Sequence, residues 1–479
     1  MFKNLKLSGQ RPAYLEIKDY VKKLILTGFL QPGVKLPSSR ELAEVIKVSR
    51  NTILLTYQDL EDDGFVRLVE GRGTFVAPAE IKYENSLTLD WDDRITDYAK
   101  LAAELDIEKK ELKWEKGMIS FKSIAPDPSL FDVDEVKKAF LARFALEGDK
   151  VLNYGYAQGY KLLMEFIMEY MKYKGLNPEG KDIIITNGFT EGFNLVLSAL
   201  ARKGERIVCE NPTHNTAIKI MRLSGLEIVG VEMKEDGVRI DLLKKVLSAG
   251  GVKAGFLIPS YHNPTGLVMS PEKRGEVLRI FTEYQVPIIE DGFNEELRYS
   301  GSHVAPLISL AGKGNGVIYI GSFSKILFPG LRIGWVIGER NLISYLESVK
   351  RSVNIHTSFP DQAILYEYLQ SGYFEKYLRK ARRVYKDRHG YAGKLAKEHI
   401  PSTRIWGEGG LHIFIKLAGL DSRQVLAECY RRNVLFMPGD IFYTNGEGKS
   451  SFRLGISRVG RKQIEEGIKI IGEVVRAME

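Results

Sequence analysis

Short apolar runs that alternate with amphipathic helical stretches, from about residue 118 onward, constrain the fold of this chain most strongly. The runs that qualify as buried strands cover residues 183–185, 206–209, 254–258, 287–289 and 317–320. Apolar strands separated by helices are typical of a parallel sheet that is covered on both faces. The sequence therefore predicts a mostly parallel α/β fold, with a smaller α/β subdomain after about residue 350.

Composition narrows the class of protein further. The chain has 479 residues, enough for several domains, and contains only two cysteines, Cys209 and Cys429. A disulfide scaffold is excluded and no Cys/His group has metal-ligand spacing, so we expect no metal site and a reducing compartment. The N-terminus lacks the apolar core of a signal peptide, and no run approaches the about 18 apolar residues of a membrane span. We therefore expect a cytoplasmic protein without a membrane partner.

The net charge of +8 suggests a polyanionic partner, but the distribution of charge along the chain is more informative. Residues 1–78 hold 12 basic and 9 acidic residues, residues 79–117 hold 7 and 11, and residues 118–479 hold 50 and 41. Most of the positive excess therefore lies outside the N-terminal segment. The acidic stretch 79–117 is predicted to be a linker with a helix around 93–105.

Residues 1–78 are predicted to form three helices and a β-hairpin. Apolar residues at helical spacing indicate helices over residues 14–27, 39–46 and 49–62. A Gly-rich, basic stretch at 70–73 separates two short strands, as in a hairpin. Two short helices joined by a tight turn and followed by a hairpin are typical of a winged helix-turn-helix, whose second helix enters the major groove. A three-helix interaction module would show similar periodicity.

Three stretches of this segment resemble the GntR family in order: 30–43, 48–53 and 71–76. The resemblance implies a winged helix that binds a double-stranded DNA operator. The residues that it implies in DNA contact are Arg40, Arg50, Asn51, Thr52, Gly71 and Arg72. Asn and Thr can hydrogen-bond to base edges, whereas Arg can bind either a base or a phosphate. A solvated surface charge is the alternative for Arg50 and Arg72.

Polar residues follow several of the predicted strands of the larger region. Lys325 lies in the sequence Ser-Phe-Ser-Lys after the strand at 317–320, and Arg332 comes seven residues later. A lysine can form a Schiff base with a carbonyl cofactor, and hydroxyls beside an Arg suit a phosphate. Gly188 to Gly192 opens a helix after the strand at 183–185, which makes an anion site.

Two further side chains complete this constellation. Asp291 ends one buried strand and can pair with a protonated pyridine nitrogen. Asn263 follows another strand and can donate to a phenolate oxygen. Because open α/β sheets bind ligands at the carboxyl ends of their strands, we expect these groups to share one site.

In this order, the motifs resemble the fold-type-I pyridoxal 5'-phosphate (PLP) enzymes of aminotransferase class I/II, from about residue 119 to the C-terminus. The resemblance implies that Lys325 binds PLP covalently, that Asp291 pairs with the ring nitrogen and that Asn263 binds the ring oxygen. The residues that it implies at the cofactor phosphate are the backbone of Phe189, Thr190, Ser322, Ser324, Arg332 and, from the neighbouring subunit, Tyr154. Arg453 would bind a substrate or effector carboxylate, with Arg458 as the competing residue.

The chain departs from this family pattern at three positions. Phe293 and Asn294 stand where related sequences usually carry a Tyr that bonds the ring oxygen. His214 occupies the position of the aromatic residue that stacks on the ring. Imidazole can stack, so these changes weaken the expectation of efficient transamination more than that of cofactor binding.

A GntR-type winged helix joined to an aminotransferase-like domain resembles the MocR-type regulators. The resemblance implies a PLP-dependent transcriptional regulator that senses a small amino compound, or PLP itself, through an external aldimine at Lys325. It also implies a head-to-tail, domain-swapped homodimer, and the 79–117 linker could span such a crossover. The alternative is an active aminotransferase with an appended DNA-binding domain. The basic stretch 376–388 is interpreted as the solvated face of a helix, with a second DNA surface as the alternative.

Overall fold

The computed structural model describes residues 2, 5, 7–78, 88–292 and 294–479. The chain divides into two compact units, residues 1–95 and residues 96–479. Each unit has its own apolar core. In the described residues, no helix is long and apolar enough to cross a membrane.

The smaller unit contains three helices and one antiparallel hairpin, as the sequence predicts. Its elements are α1 (Ala13–Leu26), α2 (Ser39–Ile46), α3 (Arg50–Asp62), β1 (Val66–Val69) and β2 (Gly73–Val76). Ser38 caps α2 by accepting from the Glu41 backbone N–H at 3.2 Å, and the Glu41 carboxylate accepts from the Ser38 N–H at 2.8 Å. Ser49 caps α3 in the same way through the Thr52 N–H at 3.1 Å. These two caps set the limits of the turn between the helices.

The larger unit begins with two short helices and continues into a succession of helices and strands. Its first elements are α4 (Asp97–Glu104), α5 (Ile107–Lys110), β3 (Ile119–Ser120), α6 (Val133–Glu147), α7 (Lys161–Tyr173), β4 (Lys181–Thr186), α8 (Phe189–Leu200), β5 (Arg206–Asn211), α9 (Asn215–Leu223), β6 (Glu227–Lys234), β7 (Gly237–Val238) and α10 (Ile240–Ser248). Next come β8 (Val252–Leu257), α11 (Pro271–Glu283), β9 (Ile288–Asp291), α12 (Leu307–Leu310), β10 (Val317–Ser322), β11 (Gly334–Glu339), α13 (Arg340–Asn354) and α14 (Phe359–Gln370).

The central sheet has eight strands in the order β4-β11-β10-β9-β8-β5-β6-β7. All neighbouring pairs from β10 to β6 are parallel, and only β11 and β7 run antiparallel to their neighbours. The mostly parallel sheet is therefore confirmed. The sequence analysis did not single out β6 or β11, because β6 is largely half-buried or exposed and the apolar run of β11 is broken by glycines at both ends.

A smaller subdomain follows with its own apolar cluster. Its elements are α15 (Tyr373–His399), β12 (Arg404–Trp406), β13 (His412–Lys416), α16 (Ser422–Arg431), β14 (Val434–Leu435), β15 (Met437–Pro438), β16 (Ser451–Gly455) and α17 (Arg461–Met478). Four of these strands form an antiparallel sheet in the order β12-β13-β16-β15, and β14 pairs with β3 in parallel. The second α/β subdomain is thus confirmed.

The basic stretch 376–388 lies on the long helix α15 and makes several bonds within the larger unit. Lys376 pairs with Glu135 at 2.5 Å, and Arg388 pairs with Asp127 at 2.8 Å. The apolar side chains of the opposite helix face are buried, as expected: Tyr377, Leu378, Ala381 and Tyr385. Much of the charge of this stretch therefore holds the helix in place.

Lys350 on α13 is fully buried, and no carboxylate of the described residues pairs with it. Its Nζ donates to the carbonyls of Ala157 at 2.8 Å and Ile185 at 2.7 Å, and to Thr357 Oγ1 at 3.0 Å. Burial lowers the pKa of Lys350 to about 8. This ammonium joins the end of β4 to two loops that carry no regular structure of their own.

The substitution Lys350→Met should lower the free energy of unfolding by about 1–3 kcal/mol, because it leaves buried oxygens without a donor. Lys245→Met, which changes an exposed lysine on α10, should change it by less than about 0.5 kcal/mol. Thermal unfolding of both variants measures the difference. Equal stability of the two variants would show that the three hydrogen bonds contribute nothing net.

Candidate functional site

A cleft of about 1540 Å³ opens beside the ends of the central strands. Of the side chains that the sequence analysis assigns to the cofactor and effector, five line it: Thr190, His214, Asn263, Lys325, Arg332 and the carboxylate candidate Arg453 make up the set together with the strand-end residue Asn187. Parallel strands end at the same edge of a sheet, and this places residues far apart in sequence around one cavity.

Arg332 joins the chain that follows β10 to the chain that follows β4. Its Nη1 donates to Ser324 Oγ at 3.0 Å, and its Nη2 donates to the Asn187 carbonyl at 3.1 Å. Ser322 Oγ accepts from the Ser324 backbone N–H at 3.1 Å, which shapes the turn before Lys325. Arg332 has a left-handed backbone, with φ of 54°, a conformation that costs free energy for a non-glycine residue. The guanidinium and the Ser324 hydroxyl thus form one side of an anion cradle.

The N-terminus of α8 forms the other side of this cradle. Gly188 precedes the helix with φ of 79°, and no side chain caps the helix there. A Cβ atom at Gly188 would lie 2.7 Å from Arg332 Nη2, so any other residue would displace the guanidinium. The backbone N–H groups of a helix N-terminus attract anions. Phe189 and Thr190 occupy its first turn, and the Phe189 ring lies 5.2 Å from the His214 ring.

Lys325 follows β10 and is largely buried among cationic groups. Burial lowers the pKa of Lys325 to about 8, and the positive charges of Arg453, Arg332 and Arg458 act in the same direction. Asp291 opposes this shift. A lysine with such a pKa has a substantial fraction of neutral, nucleophilic amine near neutral pH.

Asp291 ends β9, directly beside β10, where Ile320 is its partner. Its side chain is buried, and burial together with Glu295, Glu210 and Glu290 raises the pKa of Asp291 well above its usual value. The Asp291 Oδ2 and His214 Nδ1 atoms are 4.0 Å apart. Burial lowers the pKa of His214 to about 3, which keeps the imidazole neutral. A buried carboxyl in this position favours a cationic partner.

Asn263 and Arg453 contact each other at the floor of the cleft. Arg453 Nη1 donates to Asn263 Oδ1 at 2.8 Å, and Nη2 donates to the Lys122 carbonyl at 3.1 Å. The guanidinium also lies 4.9 Å from the centre of the Phe442 ring. Asn263 Nδ2 and Arg453 Nε are buried without a hydrogen-bond partner. The sequence analysis gave each residue a role, but their direct contact was not predicted.

Two predicted residues lie outside the cleft lining. Arg458 is exposed and its Nε donates to the Pro126 carbonyl at 2.9 Å, so Arg453 is the better placed of the two arginines. Tyr154 is 82% exposed, and its ring meets the edge of His356 at 6.0 Å. Such exposure is compatible with a contact to a second subunit.

The departures from the family pattern have different structural outcomes. Phe293 lies outside the described residues. Asn294 is buried with φ of 56°, and neither polar atom of its side chain has a hydrogen-bond partner. A Cβ at Gly410 would lie 3.5 Å from Asn294 Nδ2, which places this amide against the 409–410 loop.

The predicted DNA-contact residues lie on one helix start and one hairpin tip of the smaller unit. Arg40, Arg50 and Asn51 are exposed, and Thr52 is partly exposed. Gly71 has φ of 68° at the exposed hairpin tip, next to Arg72. These positions leave the side chains available to a nucleic acid, while the core face of α3 is held by Ile53, Tyr57 and Leu60.

Lys35 is a basic residue beside the hairpin that the sequence analysis did not select. It pairs with Phe75 in an isolated β-bridge, and its Nζ lies 6.0 Å from the centre of the Phe75 ring. A Cβ at Gly73 would lie 2.9 Å from Lys35 Cε. The lysine stands 40 residues before the end of the hairpin in sequence, so only the bridge brings it to the wing.

Comparisons with known proteins support the division into two units. The family model for aminotransferase class I and II matches residues 124–471, and the model for bacterial regulatory proteins of the gntR family matches residues 13–76. The uncharacterized HTH-type transcriptional regulator YisV of Bacillus subtilis is 29% identical over 482 residues, covering 98% of this chain and 96% of that protein. Aromatic-amino-acid aminotransferase 1 of Thermococcus litoralis is 32% identical over 371 residues, covering 75% of this chain and 88% of that protein.

A solved structure gives the same assignment. The α-aminoadipate aminotransferase LysN of Thermus thermophilus, solved with N-(5'-phosphopyridoxyl)-L-leucine, has a TM-score of 0.75 and is 29% identical, covering 81% of this chain and 99% of that chain. The match of residues 124–471 spans most of the larger unit, and the gntR match spans the winged helix. The chain therefore belongs to the aminotransferase class I and II family and carries a GntR-family winged helix-turn-helix at its N-terminus.

Proposed function

We propose that this protein is a transcriptional regulator that binds operator DNA through its GntR unit and binds PLP and an amino compound in its aminotransferase-like unit. The observation that carries the proposal is the presence of both sites in one chain: a winged helix with exposed basic residues and a cleft with a buried lysine. The relatives that match almost the full chain, such as YisV, bear regulator names. This layout is that of the MocR-type regulators.

The residues of the cleft fit PLP. The cradle formed by Arg332, Ser324 and Gly188 suits a phosphate, and Asn263 Nδ2 is a buried donor without a partner, as a ring oxygen requires. LysN, which shares the fold, was solved with a phosphopyridoxyl compound. When bound, PLP supplies an electrophilic carbonyl carbon and an electron-withdrawing ring.

The residues of this chain then have distinct tasks. Lys325 provides a neutral amine at Nζ for covalent attachment, and the Asp291 carboxylate holds the proton of the ring nitrogen. His214 packs against the ring face as a neutral imidazole. Arg453 binds the carboxylate of the amino compound through the guanidinium N–H groups that Asn263 and Lys122 do not use.

A working aminotransferase is the second candidate function. It is favoured by the joint presence of Lys325, Asp291, Asn263 and Arg453 and by the similarity to characterised aminotransferases over three quarters of the chain. Turnover of amino-acid and keto-acid pairs by the full-length protein discriminates between the two. Sustained turnover without specific DNA binding would favour the enzyme over the regulator.

The full-length protein is further proposed to form a homodimer through the 133–156 region, as part of the head-to-tail arrangement. Several large apolar side chains of this region are exposed: Val133, Phe140, Leu141, Leu146, Leu152, Tyr154 and Tyr156. Exposed apolar surface of this density is typical of an interface. In such a dimer Tyr154 would reach the cofactor phosphate of the partner.

The substitution Leu141→Glu should weaken the dimer, because it places a charge in an apolar interface. Tyr173→Glu, which changes a tyrosine that is 90% exposed at the end of α7, serves as the control and should leave the dimer intact. Sedimentation equilibrium of the full-length protein measures both. A monomeric parent protein, or equal dimer stability in the two variants, would contradict the proposed interface.

Specific DNA binding should depend on Arg50. The substitution Arg50→Ala should lower operator affinity by about tenfold to a hundredfold, because a base or phosphate contact of an arginine is worth about 1–3 kcal/mol. Arg11→Ala removes an equal charge from the same unit, where Arg11 pairs with Asp19 at 2.9 Å, and should have little effect. The measurement is a binding titration with a fragment found by footprinting upstream of the gene. Unchanged affinity of the Arg50 variant would remove this residue from the interface.

Attachment of PLP should depend on Lys325 and on pH. Because only the neutral amine attacks a carbonyl, the rate of attachment should rise with pH up to the Lys325 pKa of about 8 and level off above it. Borohydride trapping followed by peptide mass spectrometry measures the attachment. Lys325→Ala should abolish it, and Lys219→Ala, which changes another lysine of the cleft, should retain both the attachment and its pH profile. A trapped cofactor on another lysine would refute this assignment.

A further inference from the structure

The segment that joins the two units forms part of the wall of the cleft. From residues 96–117, the cleft is lined by Tyr98, Leu105, Asp106, Ile107, Glu108, Lys113 and Trp114. These side chains border the same cavity as Lys325 and Arg453. Sequence analysis assigns this stretch to a linker, yet within the larger unit it contributes directly to the surface that a ligand meets.

Specific contacts hold this segment in place. Ile107 packs against an apolar cluster that contains Phe414, Met437 and Phe442. Glu111 is 8% exposed and accepts from Arg423 Nη2 at 3.1 Å. The seat of the segment is therefore both apolar and ionic.

Two sets of contacts connect this segment to Arg453. In the first, Arg453 Nη2 donates to the Lys122 carbonyl at 3.1 Å, and Lys122 Nζ donates to the Leu112 carbonyl at 3.0 Å. In the second, the Arg453 guanidinium lies over the Phe442 ring, and Phe442 belongs to the cluster against which Ile107 packs. A change in the position of Arg453 is thus felt by the segment through a polar and an apolar contact.

We propose that residues 105–114 belong to the ligand-binding site, with Ile107 facing the side chain of an α-amino acid whose carboxylate is bound by Arg453. The ligand holds the segment against the larger unit, and the same chain continues into the DNA-binding unit. Occupancy of the cleft is thereby communicated to DNA binding by tension or release of this segment. The inference rests on the proposed function, because it takes the ligand carboxylate at Arg453.

The apolar character of the wall indicates the ligand class. Ile107, Leu105 and Trp114 offer apolar surface, whereas the nearest charge of α5's cap, Asp106, lies 3.9 Å from Lys219. An amino acid with an apolar side chain buries this surface, while glycine leaves it uncovered. The side chain of the ligand is therefore the part that the segment detects.

Two stable probes test this inference: N-(5'-phosphopyridoxyl)-L-leucine and N-(5'-phosphopyridoxyl)glycine, added to the cofactor-free full-length protein. Ile107→Ala should lower affinity for the leucine compound by about tenfold, because apolar contact is lost, and leave affinity for the glycine compound within about twofold. Ile441→Ala is the matched control, since Ile441 packs in the same cluster but does not line the cleft. Equal losses for both compounds, or no loss for either, would overturn the role of Ile107.

Hydrogen exchange tests whether the ligand holds the segment. The amides of Lys109 and Lys110 donate to the Asp106 carbonyl, and the amide of Glu111 donates to that of Ile107. The leucine compound should slow their exchange relative to the glycine compound. Glu111→Gln, which weakens the seat without changing a residue of the cleft lining, should reduce this difference. Identical exchange with both compounds would overturn the inference.

Operator binding separates this inference from the proposed function. In the parent protein, the leucine compound should change operator affinity, and in Glu111→Gln this change should shrink while both binding events persist. A parent protein that binds neither compound, or no specific DNA, would refute the proposed function itself. A parent protein that shows the coupling, with Glu111→Gln and Ile107→Ala coupling equally well, would refute only the role of the segment.

Discussion

The convergence of parallel strand ends on one edge of the central sheet is the constraint on which the rest of the larger unit depends. β4, β8, β9 and β10 all end at this edge, and each is followed or ended by a residue of the cleft. The sheet brings Gly188, Asn263, Asp291 and Lys325 together although they span more than a hundred residues of sequence. Because the strands are buried on both faces, their positions are fixed by packing, and the loops that follow them inherit that rigidity.

This constraint explains why so much of the site could be predicted from the sequence. Apolar runs locate the strands, and a polar residue after such a run must lie at the ligand-binding edge. Lys325 and Asp291 were identified in this way, and the family resemblance added roles for Arg332 and Arg453. In the smaller unit, the caps Ser38 and Ser49 and the glycines of the hairpin are local signals, so its elements were predicted almost to the residue.

Features that depend on tertiary contacts could not be predicted in the same way. β11 enters the sheet between β10 and β4 because its antiparallel register fits there, and nothing in its own residues indicates that place. The contact of Asn263 with Arg453 joins two residues 190 positions apart. Ile107 and Glu111 are ordinary residues of an acidic stretch, and only the partners Phe442 and Arg423 give them a function. Such residues carry no motif, since each acquires its meaning from a partner elsewhere in the chain.

The environment of Arg453 has a consequence for selectivity. Its guanidinium is buried, its pKa is lowered to about 9 by burial, and no carboxylate of the described residues lies within ion-pair distance. A cation removed from water in this way is most strongly stabilised by an anion that enters with the ligand. A simple amine would reach Lys325 but leave that positive charge uncompensated, whereas an amino acid neutralises it. The cleft therefore discriminates between zwitterions and amines by electrostatics alone, before the shape of any side chain is tested.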